Sequence, residues 1–160
     1  MKDGFLKAAA LSPSLRVADC VYNTQQILQD LQKAAARGVK LAVFPEFCLT
    51  GYTCGDLFLQ HTLQQGALIG LQTLLDGSRE LDVLALVGLP LMVHGKLYNC
   101  AAVFCHGKLL GIVPKTYLPN YGEFYEKRQF TPGSTEIETI TVCGQDVPFG
   151  TSLLFACRQM

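Results

Sequence analysis

Two apolar runs in this chain end in the same way, and that repeated ending constrains the fold more than any other feature. Val39 to Phe44 is stopped by Pro45, and a carboxylate, Glu46, follows at once. Lys108 to Val113 is stopped by Pro114, and a cation, Lys115, follows. A strand that ends on a proline delivers the next side chain to the rim of a sheet, where open α/β folds keep their ligand crevices. If the two strands share a sheet, a carboxylate and an ammonium meet at one rim.

The rest of the chain reads as a single mixed α/β domain over residues 1–160. Phe5 to Leu11 is a first buried strand, broken by Ser12-Pro13-Ser14. Asp19 is a plausible N-cap for a helix from Cys20 to Arg37, with Cys20, Ile27, Leu31 and Ala34 or Ala35 at helical spacing and Gly38 as its terminator. With Val39 to Phe44 this completes a strand–helix–strand unit. Asp56 is expected to cap a second helix over Leu57 to Leu75, with His61 and Gln64 on its apolar face. Asp82 to Leu89 has no charge after its first residue, as a central strand covered on both faces requires. Then the texture changes. Pro90 to Val93, Lys96 to Cys105 and Lys108 to Val113 are separated by His94-Gly95 and His106-Gly107, the pattern of an antiparallel meander. Residues 114–128 form a long connection, too aromatic for disorder. Glu136 to Val142 is a strand, Gly144-Gln145-Asp146 a turn, and Thr151 to Cys157 a last apolar strand that ends abruptly at Met160.

Composition excludes several classes of function. Apolar residues make up 49% and charged residues 16%, so the chain can build a core. Thirteen basic and thirteen acidic residues cancel, leaving no electrostatic footprint for nucleic acid or an anionic membrane. No apolar run is long enough to span a bilayer, and the first residues carry no signal-peptide pattern, so a cytoplasmic protein is expected. Seven scattered cysteines, an odd number, argue for reduced buried thiols rather than a disulfide scaffold. Cys48, Cys54 and His61 lack the spacing of a zinc site.

Glu46, Lys115 and Glu123 are the candidate chemical set. A carboxylate can activate a nucleophile while a fixed cation stabilises the oxyanion formed when a carbonyl is attacked. The alternative is an ordinary ion pair. The motifs FPEFCLTGY around Glu46 and PKTYLPNYGEFYEKRQFTPG around Lys115 resemble the nitrilase, or carbon–nitrogen hydrolase, superfamily. More narrowly, GYTCGDLF, GLPL, GKLYNCAAV and PKTYLPNYGEFYEKR resemble the amino-terminal glutaminase domains of glutamine-dependent NAD synthetases, over about Phe5 to Phe155.

The resemblance implies an αββα sandwich, incomplete at the C-terminus. It implies a Glu–Lys–Cys triad in which Glu46 is the general base, Lys115 the oxyanion-stabilising lysine and Glu123 an additional glutamate. Tyr52, Tyr121 and Phe124 would line a pocket for the glutamine side chain. The family's nucleophilic cysteine sits at a strand-to-helix elbow followed by Glu-Asp, a setting that no cysteine here has. Cys48 is too close to Glu46, and Cys157 is followed by Arg158-Gln159. The expectation is therefore a chain that stops before its nucleophile and is inactive alone. The remainder of its domain and a synthetase domain using ATP and Mg2+ would be absent, with no cofactor in this part. L-glutamine is the expected substrate, and a homo-oligomer the expected assembly. A fragment of a stand-alone amidase of the same superfamily, or a non-catalytic binding or assembly module, are the alternatives.

Overall fold

The computed structural model describes residues 4–156. Seven strands form one mixed sheet in the order β1-β2-β3-β4-β5-β7-β6. They are β1 (Ala8–Ala10), β2 (Leu41–Val43), β3 (Leu84–Val93), β4 (Lys96–Cys105), β5 (Lys108–Pro114), β6 (Glu138–Val142) and β7 (Gln145–Phe149). β1, β2 and β3 run parallel, β3 to β5 form the antiparallel meander, and β7 returns parallel to β5. Helices α1 (Cys20–Ala36) and α2 (His61–Gly77) pack together with the sheet around one core.

Alternation of side chains decides what each face of the sheet carries. Ala42, Ala85, Val87 and Leu89 are buried in the core with Ile27, Leu31, Leu71 and Leu74 of the two helices. Their neighbours Val43, Leu86, Ala101 and Val113 line a cleft that also holds Glu46 and Lys115. The described residues thus form one helical layer packed on one mixed sheet.

The first helix forms as its sequence requires. The Asp19 side chain accepts a hydrogen bond from the Tyr22 N–H, and Gly38, at φ 74°, receives the chain as it leaves the helix. Gln25, Gln29, Gln32 and Lys33 face solvent.

Several expectations need correction. The first strand is only Ala8–Ala10 and is not buried, with Phe5 82% exposed. The second helix does not begin after Asp56: residues Tyr52–Leu59 form 3-10 turns kinked at Gly55, Gln60 is extended, and α2 starts at His61. Asp56 instead pairs with Arg128; the buried face of α2 carries Leu63, Gln64, Ala67, Leu71, Leu74 and Leu75, and His61 is exposed. Pro90 does not end a strand. β3 passes through it to Val93, with Pro90 opposite Asn99 of β4. The last turn is Cys143-Gly144, at φ 50° and 71°, so Gln145 and Asp146 belong to β7. It repeats the geometry of His94-Gly95 and His106-Gly107, the left-handed pair that a two-residue hairpin needs. Residues 151–156 carry no strand, and Cys157 lies outside the described residues.

Candidate active site

Glu46 sits on an elbow pressed against the middle of the sheet. The Phe44 N–H donates to the Leu86 carbonyl, 3.0 Å, as the last rung beside β2. After Pro45 the chain turns back sharply: Phe47 adopts φ 51°, and the Gly51 N–H donates to the Phe47 carbonyl at 2.7 Å. Gly88 of β3 makes this approach possible. A Cβ there would lie 2.7 Å from the Pro45 carbonyl oxygen and in collision with the Phe47 nitrogen. A bulky residue in left-handed backbone is strained, and its persistence beside a candidate base fits a functional elbow.

Lys115 arrives from the other proline-ended strand. Its N–H donates to the Asn99 carbonyl, 2.7 Å, and its own carbonyl accepts from Gly133, 2.9 Å. With its backbone held on both sides, the ammonium reaches Glu46 Oε1 at 2.8 Å. It also reaches both carboxylate oxygens of Glu126, at 2.9 and 3.0 Å. Glu126 opens the short helix α3 (Glu126–Gln129), and its side chain is only 6% exposed, against 30% for Lys115 and 39% for Glu46. A carboxylate so buried needs its cation.

The electrostatics follow from this packing. Desolvation opposes the charge on Lys115, but hydrogen bonds and charges from Glu46 and Glu126 outweigh it and raise its pKa above the ordinary lysine value. The ammonium therefore stays charged at neutral pH. The Tyr52 hydroxyl donates to Glu126 Oε1 at 2.8 Å. Burial first, then that hydrogen bond and the charges of Glu126, Glu46 and Glu123, push its pKa upward and keep it a neutral donor. The Asn99 amide donates to Glu46 Oε1 from the interior of β4.

The structure thus brings Glu46 and Lys115 together, but not Glu123. Glu123 follows Gly122, at φ 57°, in a turn closed by the Phe124 N–H to the Tyr121 carbonyl; it is exposed and lines the same cavity as Tyr52 and Glu126, but the Lys115 ammonium pairs with Glu46 and Glu126 instead. Three residues later the chain is pinned inward. The Glu126 N–H donates to the Pro119 carbonyl, and the Phe130 N–H to the Glu126 carbonyl. Buried Leu118 and Phe130 anchor both ends of the loop. The carboxylate beside the lysine is therefore Glu126.

The three rings expected around a pocket form a chain: Tyr52 to Phe124 with centroids 6.4 Å apart, then Phe124 to Tyr121 at 5.7 Å. Tyr52 and Phe124 line a cavity of about 470 Å3 together with Glu126 and Phe130. Tyr121 faces a neighbouring one with Thr116, Pro119 and Lys127. Glu46, Asn99 and Lys115 line the cleft of about 370 Å3 on the sheet face. The lysine's two ion pairs therefore join the aromatic cavity to the sheet cleft.

The nearby thiols are not presented to this cluster. Cys48 is fully buried, with its sulfur receiving the Gly88 N–H at 3.3 Å, and burial pushes its pKa up to about 12. Cys100 follows Asn99 in β4, so its side chain turns to the opposite face, and burial raises its pKa further still. Among the described residues no group of three His, Cys, Asp or Glu could hold a metal ion, and no helix is long and apolar enough to cross a membrane.

A family profile described as carbon-nitrogen hydrolase matches residues 7–156. The glutamine-dependent NAD(+) synthetase of Mycobacterium tuberculosis is 41% identical over 157 residues, covering 98% of this chain and 23% of the relative. That of Thermotoga maritima is 38% identical over 125 residues, covering 78% and 21%. A crystal structure of a glutamine-dependent NAD(+) synthetase from Cytophaga hutchinsonii superposes with a TM-score of 0.88 at 27% identity, over 96% of this chain and 26% of that one. The chain thus spans about a quarter of the length of these three synthetases.

Proposed function

This chain belongs to the carbon–nitrogen hydrolase family, and on that premise we propose that it is the amino-terminal part of a glutaminase domain within a longer glutamine-dependent NAD synthetase. The observation that carries the reading is the Lys115 ammonium held between Glu46 and Glu126 at the rim where two proline-ended strands finish. Glu46 is the only partly exposed carboxylate of the three groups, as a base must be to reach a reacting proton. Lys115 is a preorganised cation, aimed by its partners and in no need of reorganisation when an oxyanion forms. Glu126 and Tyr52 fix that cation.

Cys48 and Cys100 are buried away from Glu46, and we propose that the nucleophile is a cysteine in the remainder of the longer domain. In the complete domain Glu46 takes the thiol proton and the thiolate attacks the glutamine amide carbon. Lys115 stabilises the oxyanion. Collapse to the thioester expels ammonia, which leaves with the proton returned through Glu46, and water activated by the same carboxylate releases glutamate. The uncovered apolar cleft, with Val43, Leu86, Ala101 and Val113, is the surface on which the second half of the sandwich would pack. The ammonia then serves a synthetase domain that uses ATP and Mg2+ to amidate deamido-NAD.

The test is ammonia release from glutamine by the purified full-length protein. Wild type should release it, Glu46→Gln should not, and residues 1–160 alone should be silent. Full activity in Glu46→Gln would remove the proposal, and glutamine hydrolysis by residues 1–160 alone, lost on Glu46→Gln, would overturn the external nucleophile.

A further inference from the structure

The two oxygens of Glu46 have different surroundings, and the difference comes from Asn99. Oε1 accepts the Lys115 ammonium at 2.8 Å and also the Asn99 side-chain amide. Among the described residues no donor reaches Oε2. Asn99 is 4% exposed, in the middle of a strand whose neighbouring side chains are mostly apolar. A buried amide in such a place is costly unless it is paired. Here its side chain holds the carboxylate, while its carbonyl accepts the Lys115 N–H at 2.7 Å. One residue of β4 thereby sets the position of the base and of the cation.

We infer that Asn99 is a positioning residue for amide hydrolysis: with Lys115 it occupies Oε1 and so makes Oε2 of Glu46 the oxygen that accepts and returns the proton. The inference rests on the hydrolase reading given above. An unclamped carboxylate rotates about its last torsion and presents either oxygen. Clamped on one side, it presents a single lone-pair direction to the attacking group. Misplacement of a reacting group by about 1 Å costs on the order of a hundredfold in rate, so a donor that fixes the base acts on turnover and leaves binding alone.

Steady-state glutamine hydrolysis by the full-length enzyme tests this. Asn99→Leu keeps the approximate shape and removes the donor. It should lower kcat by about ten- to a hundredfold with KM within about twofold of wild type. Asn99→Asp gives the signature that a purely structural role would not. The charged groups facing that position are Glu46 from the elbow and Lys115 from the end of β5, with Glu126 of α3 behind the lysine. A protonated aspartic acid can still donate to Oε1, whereas an ionised one repels it. The deficit of Asn99→Asp relative to wild type should therefore widen as pH rises from about 5 to about 8. A pH-independent deficit, or an Asn99→Leu enzyme with unchanged kcat, overturns the inference. Glu46→Gln in the same assay keeps the two readings apart. If it retains wild-type turnover, Glu46 is no base and both fall. If it is dead while Asn99→Leu is fully active, only the role of Asn99 falls.

Discussion

Two lysines of this fold are held by carboxylates at opposite ends of the same sheet. Lys40 enters β2 and pairs with Asp82, which precedes β3, and His106 of the β4–β5 turn lies 3.5 Å from the same carboxylate. Lys115 leaves β5 and pairs with Glu46 and Glu126. Each cluster centres on one lysine, with one carboxylate around Lys40 and two around Lys115, and the surroundings differ more. The Asp82 side chain is 72% exposed, whereas that of Glu126 is 6% exposed. The Lys40 hydrogen bond and charge hold the Asp82 pKa down, yet solvent screens that pair. The lesson is that an aromatic loop packed over the carboxyl ends of the strands converts an ordinary ion pair into a preorganised one.

The sharpest way to break this comparison is to delete each lysine and measure glutamine hydrolysis by the full-length enzyme. Lys115→Met should reduce turnover by about a thousandfold, and Lys40→Met should leave it unchanged. Next in size is Gly88→Ala, whose new Cβ would press on Pro45 and Phe47 and displace the elbow that carries Glu46. It should cost about 1–3 kcal/mol in urea unfolding and depress kcat along with it, although the residue bears no reactive group. The same two lysine variants should also separate in stability. Lys115→Met strands a buried carboxylate and should cost about 3 kcal/mol. Lys40→Met, at an exposed pair, should cost less than about 1 kcal/mol.

The smallest effect is alkaline. The folded pKa of Lys115 lies above its ordinary value of 10.5. The stabilisation from its pairing is therefore fully present below that value and fades as pH rises through the raised one. Wild-type stability, less that of Lys115→Met, should be flat from neutral pH to the ordinary lysine range and shrink beyond it.

Much of the candidate site was legible in the sequence, because proline-ended strands announce where their next side chains go. Glu46 and Lys115 were found that way, and Asp19 and Gly38 marked the first helix. Glu126 was missed in favour of Glu123, since both lie in one aromatic loop and spacing from Lys115 does not say which turns inward. The signal lay in the buried anchors Leu118 and Phe130, between which only a residue starting a helical turn points to the core. Asn99 was missed because its strand was read as a motif. An asparagine in the middle of an apolar strand demands a partner, and that demand could have been followed. The start of α2 was hidden by Gly55 and Gln60, whose backbone angles break what composition presents as one helix.

The most direct measurement is a crystal structure of the full-length Glu46→Gln protein with glutamine bound. The account predicts the substrate's side-chain amide between the aromatic cavity and the sheet cleft, its carbonyl oxygen within hydrogen-bond reach of Lys115 Nζ, with Glu126 still holding the lysine. Glutamine bound away from Lys115, or a Lys115 turned out to solvent beside Glu123, would contradict it.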